Sequence, residues 1–159
     1  MDRVVLEAIG RLLRETRVLS LAVVVDGDPE AALLPFAHRD DYGAVFVQAS
    51  GLARHTRGLL SGARVGVLIH AGDTVDSDPM QLPRLSVQAT VSVLDKESAA
   101  YAAAAERFIA RFPAAEMTLA LGDFNLYALT LGRGRYVEGF ARAFNVGPET
   151  FAEVAAAGT

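Results

Sequence analysis

VLSLAVVVDGDPEAALLPFAHRDDYGAVFVQAS, residues 18–50, is the stretch on which the fold class turns. Its three apolar runs are rich in β-branched and aromatic side chains, which suit a pleated, half-buried surface. Two turn signals separate them, DGDP at 26–29 and RDDYG at 39–43. Connections this short join neighbouring strands as antiparallel hairpins. Residues 18–50 therefore predict three consecutive strands.

On the N-terminal side, Val4, Val5, Ile9, Leu12 and Leu13 recur at helical spacing and predict a helix over 3–16. On the C-terminal side the pattern predicts a helix over 52–61 and a strand over 64–70. A polar loop, AGDTVDSDPMQLP (71–83), leads into RLSVQATVSVLD (84–95). There Leu85, Val87, Ala89, Val91 and Val93 alternate, the mark of a strand with one buried face. A second amphipathic helix covers about 97–111 and stops at Pro113. DFNLYALTLGRGRYVEGF (123–140) predicts two strands around Gly132 and Gly134, with GRGR (132–135) as the hairpin turn between them. A last helix starts near Pro148, a residue suited to a first helical turn. Six or seven short strands with three or four helices outside them close most economically into a small barrel, which removes exposed edges. The expected fold is α+β, mainly β: a six- to seven-stranded antiparallel barrel with peripheral helices, forming a single domain over 1–159.

The chain of 159 residues is 52% hydrophobic and 21% charged, with a net charge of −4. That balance is too apolar for disorder and argues against a general nucleic-acid binder. No cysteine is present, which excludes disulfides, thiolate metal sites and cysteine nucleophiles. MDRVVLEAIGRLLRE carries charges throughout, unlike a signal peptide, and no run is long and apolar enough for a membrane span. A cytoplasmic protein is expected.

Against this acidic background, GLARHTRGLL (51–60) places Arg54, His55, Thr56 and Arg57 in succession, directly after a predicted strand. With Ser50 as cap and Gly51 allowing close approach, a helix starting here would offer free backbone N–H groups to an anion. Arginines at such a start oppose the helix dipole unless a phosphate neutralises them through charge-assisted hydrogen bonds, with the Thr56 hydroxyl as a further donor. The plainer alternative is a solvated basic face paired with acids such as Asp40 or Asp41.

Three blocks taken in order resemble the flavin-binding split-barrel superfamily, the fold of pyridoxamine 5′-phosphate oxidase, and most closely its heme-utilization (HugZ-type) branch without that branch's additional C-terminal domain. They are DGDPEAALLPFAHRDDYGAVFVQASGLARHTRGLLSGARVGVLI (26–69), DPMQLPRLSVQATV (78–91) and GRYVEGFARAFNV (134–146). The resemblance implies a homodimer with flavin mononucleotide (FMN) in clefts between subunits, acting on a small-molecule substrate. Its phosphate would lie on Arg54, His55, Thr56 and Arg57. Leu34, Pro35 and Phe36 match the strand bordering the flavin ring, and Gln48 and Ser50 the end of the next strand. Arg84 stands where the oxidases carry a glutamine, and Arg142 lies in the closing strand. Tryptophan, common near the cofactor in the oxidases, is absent, leaving Phe140 or Phe144 in its place. The expected activity is an FMN-dependent oxidoreductase in which the flavin carries the electron chemistry and no catalytic side chain is assigned. The alternative is a non-enzymatic flavin- or heme-binding protein for storage, sensing or heme utilization.

The remaining motifs read as structural. His38 and His70 have no partner at metal-ligand spacing. DTVDSD (73–78) lacks the central glycine and terminal glutamate of a calcium loop and reads as solvated. In ESAAYAAAAERFIARF (97–112), Tyr101, Phe108 and Phe112 form an apolar stripe expected to pack on the barrel.

Overall fold

The computed structural model describes residues 1–158. Helix α1 (Arg3–Glu15) opens on Asp2, whose carboxylate accepts from the Val4 N–H at 3.2 Å. Val5, Ile9, Leu12 and Leu13 are buried as the spacing predicts, but Val4 faces solvent. Strands β1 (Val18–Val25) and β2 (Asp28–His38) are joined by Asp26–Gly27. Both turn residues have positive φ, +54° and +86°, the geometry whose twist matches a two-residue hairpin. Then follow β3 (Ala44–Ser50), β4 (Arg64–His70) and β5 (Arg84–Val93). After α2 (Ala99–Arg111) and the short α3 (Ala115–Leu119) come β6 (Phe124–Gly139), β7 (Arg142–Val146) and α4 (Pro148–Ala157). The sequence pattern does not announce α3.

All strand pairs are antiparallel, in the order β3-β2-β1-β4-β5-β6-β7. Pairing of β3 with β6 closes six of the strands into a barrel and leaves β7 as an extra strand. The expected fold class is the one observed. β6 makes the closure possible. One of its edges follows β5 from Tyr127 to Val137; the other holds β3 over 124–130 and β7 over 134–139. The barrel is therefore shut at one end of β6 and split toward the other.

Inward side chains such as Leu21, Val23, Phe36, Val47, Val67, Ile69, Leu85 and Leu129 fill the barrel. A second cluster lies outside it, where Phe108 and Ala104 of α2 pack on Ala37, Phe46, Leu126 and Ala128. Tyr101 and Phe112 flank that cluster, so the aromatic stripe of α2 does face the barrel. Helices α2 and α3 thus cover the outer face of β2's end, β3 and β6. The outer face of β1, the start of β2, and β4 stays open, with Val24 60% and Leu33 69% exposed. Among the described residues no helix is long and apolar enough to cross a membrane.

Two expectations fail for physical reasons. Residues 52–61 do not form an α-helix; only a five-residue 3-10 turn, Arg54–Gly58, is present. Leu52 is 88% and Leu60 64% exposed, so Leu59 is the lone buried leucine of the three and no apolar face holds a longer helix. Nor is GRGR a turn, because 132–135 lie within the unbroken β6. The register shifts where Val87 pairs with Gly134 and Ala89 with Leu131, leaving an extra residue on β6. A Cβ on Gly134 would lie 2.1 Å from the Ser86 carbonyl oxygen. The glycine is there for backbone approach. The real turn comes at Phe140–Ala141, with Ala141 at φ +60°.

Candidate functional site

The basic turn singled out by the sequence carries its own counter-charges. Arg54 forms an ion pair with Glu30 of β2, and Arg57 Nη2 lies 2.8 Å from Asp26 Oδ2 at the β1–β2 turn. The acids proposed for this face are elsewhere: Asp40 pairs with Arg107, and Asp41 Oδ1 lies 2.7 Å from Arg39 Nε. Ser50 is not a helix cap. It ends β3, and its hydroxyl donates to Asp123 Oδ2 at 2.6 Å. Thr56 is buried and donates its only hydroxyl proton to the Ser50 carbonyl oxygen at 2.6 Å, so it is no free donor for a phosphate. His55 is half-buried with Nε2 closed off and unpartnered. Burial lowers its pKa, against a weaker opposing pull from Glu30.

A dianion arriving here meets two guanidinium groups already matched by two carboxylates, with no α-helix to lend a dipole. The residues at this turn do not fit an FMN phosphate as they stand.

The other expected residues are not gathered in one place. Leu34 and Phe36 point into the barrel core, while Pro35 is half-buried on the opposite face of β2. Gln48 is engaged by α3, its Nε2 donating to Thr118 Oγ1 at 2.8 Å. Arg84 and Arg142 sit far along β6 from the basic turn: Arg84 is in register with Val137, and Arg142 with Gly139. Ser50, by contrast, is in register with Phe124. Arg84 Nη1 donates to the carbonyls of Met80 and Leu82, both at 3.1 Å. Those acceptors are neutral, and no carboxylate pairs with Arg84 among the described residues, so its charge is uncompensated. Arg142 Nη2 lies 2.9 Å from Glu138 Oε2.

Around this second group stand residues that sequence reasoning set aside. His70 is opposite Arg84 in the β4–β5 register. Met80, 68% exposed, lies in a 3-10 turn (Pro79–Gln81) whose Asp78 accepts from the Met80 N–H at 2.9 Å. Phe140, 82% exposed, caps the β6–β7 hairpin, and Gly139 approaches the Gln81 carbonyl. A cavity of about 350 Å³ opens alongside, walled by Leu12, Val18, Leu19, Leu33 and Leu68, with His70 at its rim. A register table, had one been readable from sequence, would have joined His70 to Arg84.

A larger cavity, about 570 Å³, lies between the end of β2 and α2, lined by His38, Asp40, Arg107 and Arg111. Its cations serve the fold. Arg111 donates to the carbonyls of Leu13, Arg14 and Thr16, closing the C-terminus of α1, and its guanidinium sits 5.2 Å from the Phe36 ring centre. Arg107 binds the His38 carbonyl and Asp40. Burial, opposed by a hydrogen bond to the Arg39 carbonyl and aided by both arginines, lowers the His38 pKa.

No family model matches the chain. It is 28% identical over 135 residues to the heme oxygenase HutZ of Vibrio cholerae serotype O1, covering 84% of this chain and 76% of that one. The crystal structure of HutZ, there a heme storage protein, matches with a TM-score of 0.72 at 26% identity, over 80% of this chain and 89% of that chain. A heme binding protein from Mycobacterium smegmatis matches with a TM-score of 0.82 at 25% identity over 96% of this chain, which spans only 61% of that protein. A protein of the pyridoxinephosphate oxidase family from Clostridium acetobutylicum shares the fold at 13% identity, with a TM-score of 0.69, over 95% of this chain and 99% of that one.

Proposed function

We propose that this chain, a split-barrel protein of the pyridoxamine 5′-phosphate oxidase-like superfamily on the side of its heme-utilization (HugZ-type) branch, binds heme and does so as a homodimer. The observation that carries the choice of heme over FMN is the distribution of charge. The turn that would hold a phosphate is matched internally by Asp26 and Glu30, whereas Arg84 keeps an uncompensated charge beside exposed apolar side chains. A wide apolar plate with carboxylate edges suits the second environment. Arg84, together with Arg142 once it leaves Glu138, would take the propionates by charge-assisted hydrogen bonds, and Val18, Leu33, Met80 and Phe140 would cover apolar surface. When bound, heme supplies an iron centre for storage or for oxygen chemistry; the chain's own residues bind and orient it and keep water from its faces.

The open outer face supports dimerisation. Val18, Ala22, Val24, Ala31, Leu33 and Leu68 form a band across β1, β2 and β4 without a charge inside it. Such a band suits a second copy of itself about a two-fold axis.

Titration of the purified chain with hemin and, separately, with FMN tests the reading. A Soret band growing to saturation, with FMN fluorescence unaffected by the protein, is the expected result. Tight FMN binding with no hemin spectrum would restore the flavin reading.

A further inference from the structure

The three histidines differ in what their rings can still do. His38 stacks on Tyr42, ring centres 4.6 Å apart, with Nδ1 at the Arg39 carbonyl and Arg107 against the ring. His55 has its Nε2 shut away from solvent. His70 is exposed at the end of β4, and its Nδ1 lies 2.8 Å from the Ala71 carbonyl oxygen. A carbonyl only accepts, so Nδ1 carries the proton and, in the neutral ring, the lone pair rests on Nε2. A backbone carbonyl holding Nδ1–H is the support that readies an imidazole to ligate a metal through its other nitrogen.

His70 cannot belong to a metal cage made by this chain alone. Among the described residues, no three of His, Cys, Asp and Glu stand close enough to hold an ion. A metal that reaches it must bring its other ligands along, and a porphyrin does so. The surroundings agree: His70 lines the cavity of about 350 Å³, whose wall is mostly apolar with Glu15, Thr16 and Ser20 as its other polar members, and the unmatched Arg84 stands directly across the β4–β5 ladder.

We propose that His70 Nε2 is an axial ligand to the iron of a porphyrin laid against the rim of the β1–β2–β4 face, with Arg84 receiving a propionate. This rests on the heme reading above and names the residue that makes it specific. The bond formed is a dative one from the Nε2 lone pair to ferric iron, displacing a water if one is bound. No electron is transferred, and the proton stays on Nδ1, donated to the Ala71 carbonyl oxygen.

The test compares wild type, His70→Ala and His55→Ala, each as the whole chain, titrated with hemin and followed in the Soret and visible bands. His70→Ala is expected to move the Soret maximum and weaken hemin by at least roughly tenfold, since even the outer supports of a metal ligand are worth 10- to 100-fold. Added imidazole is expected to restore the wild-type bands, and His55→Ala to leave them unchanged. Arg84→Ala should weaken hemin without moving the bands and have no effect on hemin dimethyl ester. An unaltered spectrum and affinity in His70→Ala overturns the proposal, and so does a loss that imidazole fails to rescue. Wild-type protein that never takes up hemin refutes the heme reading itself, a different result from either.

Discussion

Arg54 and Arg57 invite an anion only until Glu30 and Asp26 are placed beside them. Each pair is substantially exposed and, screened by solvent, stabilises the fold little on its own. Their effect on a ligand is larger, because a phosphate must displace both carboxylates and then lie among them. Replacing them by neutral isosteres, Asp26→Asn with Glu30→Gln, frees both guanidinium groups. A charge-assisted hydrogen bond is worth about 1.5–3 kcal/mol, so FMN affinity should rise at least about tenfold while riboflavin, lacking the phosphate, gains nothing. Quenching of flavin fluorescence measures both; equal changes for the two ligands would place the phosphate elsewhere. The basic run itself was legible in the sequence. Its partners were not, since they arrive from a hairpin 24 and 31 positions away, while the nearer Asp40 and Asp41 are claimed by Arg107 and Arg39. The state of the His70 ring was equally hidden, being set by where one neighbouring carbonyl points.

At the level of elements, periodicity was a good guide wherever one face is buried, as in α1, β5 and α2. It misled where glycine changes meaning. GRGR has the composition of a turn, yet Gly134 is required by the closeness of Ser86 and Val87 across a bulge that no local pattern encodes. Gly134→Ala should therefore destabilise the protein by about 1–3 kcal/mol, as forced overpacking does. Urea unfolding reads this directly, and Gly72→Ala, whose Cβ would meet nothing within 4 Å, serves as the comparison. Similar midpoints for the two variants would mean that β5 and β6 are not held this closely.

For the whole molecule, the decisive event is the meeting of residues 44–50 with 124–130, which turns a sheet into a barrel. Strand count and hairpin lengths made closure the economical expectation, but the pairing that achieves it links distant segments and leaves no local trace. The same closure leaves one side of the barrel bare. If a second copy covers that side, Leu33→Glu places a carboxylate in a dry contact and should convert a dimer into monomers, because an unpaired buried charge is penalised by several kcal/mol. Sedimentation equilibrium checks it; a variant that stays dimeric moves the contact to another face. The double tenancy of β6 has a mechanical result as well. β3 and β7 are fastened to one selvage, end to end, with only Leu131 to Arg133 between them. Neither can zip further without unpicking the other, so added length is tolerated at the Phe140–Ala141 tip, and the same residues inserted at the join would unseam the cylinder.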